Sequence, residues 1–115
     1  KTIKDHSKAI NKLVVACFGI AFKANVNDLR ESPSLSIAKK LLKLPFKNIN
    51  IVEPNIDVLP KSIYRKNVKL SCINETIETS DILLFFVEHR EFKSINKGKL
   101  KNKVVLDFKG IFNYN

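Results

Sequence analysis

The chain has no methionine and no tryptophan, only two cysteines, and only three glycines in 115 residues. Each shortage excludes something. Cys17 and Cys72 form no C-x-x-C pair and have no histidine cluster nearby, which excludes a zinc ribbon or a disulfide scaffold. Both lie in apolar, strand-like surroundings and read as buried structural thiols in a reducing compartment, the cytoplasm. Gly19, Gly98 and Gly110 are too far apart for a G-x-G-x-x-G fingerprint or a P-loop. The apolar runs, such as residues 82–87, fall well short of the ~20 residues that a membrane span needs, and no secretory signal pattern opens the chain. No Ser/His/Asp constellation and no convincing pair of catalytic carboxylates is present. Without even an initiator methionine, the chain reads as a domain cut from something longer.

What remains is a globular balance, 44% hydrophobic and 28% charged. The length suits one domain with its own core. Lys and Arg number 21 against 11 Asp and Glu, a formal charge of +10. Such a balance suggests an anionic partner, although scattered surface lysines explain much of it. Nucleic acid is therefore the weaker of the anionic partners considered.

Near-continuous apolar runs at 13–21 and 81–87 predict strands buried on both faces. Shorter strands are predicted at 50–52, 68–71 and 103–108. Ser32 and Pro33 predict a helix start, as N-cap and first helical residue. Leu35, Ile37, Ala38, Leu41, Leu42 and Leu44 continue it at helical spacing until Pro45. A second helical turn is predicted over 73–79 with Asn74 as its cap. A third is predicted over 89–95 with Phe92 and Ile95 inward. Gly98 and Gly110 mark turns. Strands alternating with helices predict an α/β doubly wound sheet of about five parallel strands with flanking helices.

In such sheets ligands bind beyond the carboxyl ends of the strands, so residues 22–31, 53–55, 88–90 and 109–110 carry the interest. Lys23 offers a point charge and Arg30 a planar fork beside a helix N-terminus. Lys109, after the last strand, would complete an anion-binding rim. The alternatives are a solvated loop in which Asp28, Arg30 and Glu31 pair with one another, and an ordinary surface lysine at 109. His89 reads as a loop residue beside Glu88 rather than a ligand or a switch. His6 carries no signal.

Residues 19–33, GIAFKANVNDLRESP, closely resemble the segment that opens the C-terminal domain of the UDP-glucose/GDP-mannose dehydrogenase family. Three later pieces agree in order and spacing: VEPN at 52–55, SDILLFFVEH at 80–89 and VVLDFKGIF at 104–112. The resemblance runs from about Leu13 onward, and the later pieces are most similar to the UDP-N-acetylmannosamine dehydrogenase branch.

The resemblance implies a Rossmann-like fold, with residues 12–115 forming a UDP-sugar-binding domain and 1–11 a linker or the end of an upstream helix. It implies a parent enzyme, a homo-oligomer with no membrane segment, that oxidises C6 of a UDP-sugar from alcohol to carboxylate with two NAD for polysaccharide precursors. NAD would be bound mainly by an N-terminal domain. Hydride transfer would pass through a cysteine-linked thiohemiacetal and thioester, but neither cysteine here matches that nucleophile, and no catalytic residue is expected in this chain. Phe22 and Lys23 match the family's substrate-contacting F-K pair, Lys109 a further substrate-contacting basic residue, and Arg30 an arginine that reaches toward NAD. Ala24, Asn25 and Asn27 depart from the common pattern. The competing readings are a stand-alone basic module that binds nucleic acid and a domain retained for assembly.

Overall fold

The computed structural model describes residues 9–21, 29 and 32–112. Five parallel strands form one sheet: β1 (Val14–Phe18), β2 (Asn48–Val52), β3 (Val68–Leu70), β4 (Ile82–Phe85) and β5 (Val104–Asp107). Their order across the sheet is β3-β2-β1-β4-β5. The helices are α1 (Pro33–Leu41), α2 (Ile73–Thr79) and α3 (Arg90–Lys93). The chain builds outward from β1 to one edge, returns, and builds to the other, so the direction of winding reverses between β1 and β4.

Alternation along the strands makes two cores. Val15 and Cys17 of β1 face one side with Ile49, Ile51, Ile82 and Leu84, covered by Ala38 and Leu35 of α1. Ala16 and Phe18 face the other side with Val52, Leu83 and Phe85, covered by Ile77, Phe92 and Leu100. The second core is aromatic: Phe18 stacks on Phe85 at 4.3 Å, and Phe92 and Phe112 meet these rings edge-on. Strands covered on both faces have no solvent side, which is why their sequences read as unbroken apolar runs.

The element types agree with expectation, and the boundaries differ for local reasons. The run at 13–21 yields a strand only to Phe18, because Gly19 turns the backbone with φ +98°. The α1 helix starts as expected, with Ser32 Oγ accepting the amide of Leu35 and Pro33 in the first turn. It ends at Leu41 rather than Leu44. The amides of Lys43 and Leu44 bond to the carbonyls three residues back, and Leu44, preceding Pro45, is kept from the α region. Ile37, within α1, and Leu44, past its end, are exposed rather than inward. Cys72, not Asn74, caps α2, since the amide of Thr76 already bonds to the carbonyl of Cys72. Gly98 lies inside a 3-10 turn, Lys97–Leu100, capped by Asn96, rather than at a free turn. Cys17 is buried, but Cys72 is exposed at the start of α2 and is not the structural thiol expected of it. Among the described residues, no helix is long and apolar enough to cross a membrane.

Gly19 is the tightest point in the sheet. A Cβ there would stand 2.6 Å from Cβ of Val87, and the positive φ disfavours any L side chain. Gly19→Ala is expected to lower stability by ~2–4 kcal/mol in urea unfolding. A loss below ~0.5 kcal/mol, the range of an ordinary surface change, would contradict the close packing of β1 against the β4 loop.

Candidate functional site

The reversal between β1 and β4 opens the crevice where sheets of this kind bind ligands. The strand ladders continue one residue past each end there. The Gly19 amide donates to the carbonyl of Val52, Phe86 to Phe18, and Phe108 to Phe85. Gly19, Phe86 and Phe108 therefore line one edge, and Lys109 follows directly beyond β5. β5 lies two strands from β1, roughly 10 Å across at ordinary strand spacing.

A buried carboxylate organises this edge. Glu53 is 3% exposed and directly follows β2. Its Oε1 accepts the amides of Ile20 at 2.9 Å and Ala21 at 3.1 Å. Its Oε2 accepts the Asn55 amide at 3.2 Å and the Asn55 side-chain Nδ2 at 3.1 Å. His89, fully buried beyond β4, brings Nε2 to 3.0 Å from Oε1 and 2.9 Å from Oε2. Asn55 Nδ2 also lies 3.4 Å from His89 Nδ1. A carboxylate only accepts, so His89 donates to Glu53 through Nε2–H. Burial by itself raises the pKa of Glu53. The hydrogen bonds from His89, the Ile20 amide and Asn55, with the charge His89 carries when protonated, outweigh it and hold the group below its ordinary value of 4.5.

A second carboxylate shapes the turn that carries Lys109. Asp107, at the end of β5, accepts the amides of Lys109 (3.3 Å), Ile111 (2.9 Å) and Phe112 (3.1 Å). Gly110 closes that turn with φ +67°. Lys109 is exposed and follows β5 by two residues. Phe22, Lys23 and Arg30 lie outside the described residues, as do Asp28 and Glu31. The chain does pass directly from the described Ala21 toward Phe22 and Lys23.

The described residues do not suit the dinucleotide grip of a Rossmann site. That grip needs open space at glycines and free amides for a pyrophosphate, with an acid after the second strand to meet the ribose. Here Val87 fills the space at Gly19, and the Ile20 and Ala21 amides are taken. The acid after β2, Glu53, points inward and is saturated with donors.

Residues 16–114 match the family described as the UDP-glucose/GDP-mannose dehydrogenase family, UDP binding domain. The chain belongs to this family. It is 39% identical over 105 residues to a UDP-N-acetyl-D-mannosamine dehydrogenase of Escherichia coli K12, an alignment covering 91% of this chain and 25% of that protein. It is 34% identical over 110 residues to an NDP-N-acetyl-D-galactosaminuronic acid dehydrogenase of Ralstonia solanacearum, covering 96% and 26%. A solved structure of a UDP-D-ManNAc dehydrogenase from Pyrococcus horikoshii shares the fold with TM-score 0.70 at 20% identity, covering 92% of this chain and 24% of that one. The chain thus spans about a quarter of the length of the curated relatives it matches.

Three residues of this edge were not singled out as site residues by sequence reasoning. Glu53 and His89 stood in noted loops and motifs, but 36 residues separate them and no local spacing pairs them. His89 is a loop residue as expected, but its ring is buried against Glu53 rather than left to solvent. Asp107 read only as the end of a strand.

Two outcomes follow. Because the folded pKa of Glu53 is lowered, its stabilisation is present above pH 4.5 and lost as pH falls through the folded value. Wild type should therefore lose urea stability more steeply from pH 5 to 3 than Glu53→Gln does, and parallel profiles would contradict this. For the thiols, burial pushes Cys17 up to about 12, while Cys72 is exposed. A thiol reagent at pH 8 should modify Cys72 in the native chain and Cys17 only on unfolding. Equal rates would overturn the assignment.

Proposed function

We propose that this chain is the UDP-sugar-binding domain of an NAD-dependent nucleotide-sugar 6-dehydrogenase. The proposed reaction takes UDP-N-acetylmannosamine to its uronic acid for polysaccharide precursors. The family match over residues 16–114 carries the reading, and the 39% identity to a protein of that name supports the substrate. The domain would span residues 12–115, with 1–11 leading in from the rest of the enzyme. Phe22, Lys23 and Lys109 are the proposed substrate contacts. Lys23 and Lys109, which follow β1 and β5 in the chain, would offset the two phosphate charges, with Phe22 a further contact to the nucleotide sugar. Arg30 is the proposed cofactor contact. NAD would supply the hydride acceptor and belongs mainly to another domain, which accords with the poor dinucleotide grip at Gly19–Ala21. The parent would be a cytoplasmic homo-oligomer whose domains close over the sugar and exclude water from the reacting carbon.

Two charge-assisted contacts of ~1.5–3 kcal/mol each correspond to UDP binding roughly between 0.04 and 6 mM for the chain alone. Amide shifts on titration with UDP are expected to cluster at residues 20–30 and at Lys109. Lys23→Ala and Lys109→Ala should each weaken binding by roughly ten- to a hundredfold. Single alanines at distant lysines such as Lys40 or Lys61 should change nothing. Losses spread evenly over many lysines, with a steep salt slope and binding to duplex DNA, would overturn the reading in favour of a nucleic-acid module.

A further inference from the structure

Glu53 and His89 are buried at the edge where substrate is proposed to bind, yet their facing polar atoms are spent on each other and on the backbone. Burying a carboxylate is unfavourable unless donors satisfy it. Here donors come from three different loops: Ile20 and Ala21 after β1, Asn55 after β2, and His89 after β4. A neutral amide could not replace the carboxylate, since its NH2 would face other donors.

The effect falls on one short stretch of backbone. Glu53 holds the amide of Ile20, and Ser32 Oγ donates to the carbonyl of the same residue at 2.7 Å. Ser32 also caps α1. Ile20 is thus held from both of its peptide groups, by residues that follow β2 and precede α1. Ala21, held by the same carboxylate, is the residue before Phe22. The direction in which the chain leaves the sheet is set at this point.

We propose that Glu53 and His89 are positioning residues of the UDP-sugar site, acting through the amides of Ile20 and Ala21 to fix the backbone that follows β1. The inference rests on the nucleotide-sugar reading above. His89 braces the carboxylate from the β4 side of the crevice, so that the two strands on either side of the reversal share one polar anchor. Neither residue touches the substrate.

The test measures UDP affinity by NMR titration of the 115-residue chain at pH 7, with urea midpoints recorded for every variant. Glu53→Gln and His89→Ala are expected to weaken UDP binding about tenfold, with the Ile20 and Ala21 amide resonances displaced before ligand is added. His89→Gln, whose amide can donate from nearly the same position as Nε2, should recover affinity to within about threefold of wild type. Ile49→Val and Ile49→Ala, at the opposite end of β2, bracket the loss of stability and should leave affinity unchanged. If they weaken UDP as much as Glu53→Gln does, the pair is merely structural and the inference fails. Wild-type affinity retained in Glu53→Gln overturns the inference alone. No UDP binding by the wild type overturns the nucleotide-sugar reading, and this inference with it.

Discussion

The buried carboxylate of Glu53 is the interaction on which the functional edge depends. Five parallel strands can be assembled from apolar side chains alone, but their loops cannot be aligned that way. Apolar packing is non-directional, whereas a carboxylate surrounded by donors tolerates few geometries. Glu53 converts the end of β2 into a fixed point for the backbone after β1 and for the imidazole after β4. Its desolvation penalty is offset locally by the donors around it.

The two cores explain why such a point is available. Phe18 and Phe85 anchor one face, and Leu13, Cys17 and Ile51 the other, so β1 is enclosed on both sides and on both edges. The Gly19 turn, packed on Val87, then delivers Ile20 and Ala21 into a space already closed to water. Asp107 repeats the device at the other side of the crevice, holding the turn around Lys109 through backbone amides. In both places an acid shapes the loop from which a base is proposed to face the ligand. The chain's +10 charge is therefore less informative than the two lysines proposed to face the ligand.

Much of the fold was legible in the residues. The unbroken apolar runs announced buried parallel strands, and Ser32-Pro33 announced the helix that follows the first loop. What was misread was local competition. Pro45 acts one residue upstream through Leu44, which shortens α1, and the carbonyl of Cys72 begins α2 before Asn74 can cap it. Cys72 shares an apolar neighbourhood in the sequence with Cys17, but it sits past the end of β3 on the surface. Of the candidate site, the loops were found from strand ends and Lys109 from its place after β5. Glu53 and His89 were visible only as members of motifs.

The sequence by itself determined the class of fold, the strands buried on both faces, and the family, because apolar runs and contiguous motifs are local properties of a chain. Only the tertiary structure decided that Glu53 meets His89, and that the acid after β2 turns inward onto the amides of Ile20 and Ala21 instead of outward to a cofactor. Those contacts join residues more than 30 positions apart. They exist because the strand order β3-β2-β1-β4-β5 places β2 and β4 on either side of β1. No spacing along the chain encodes that adjacency.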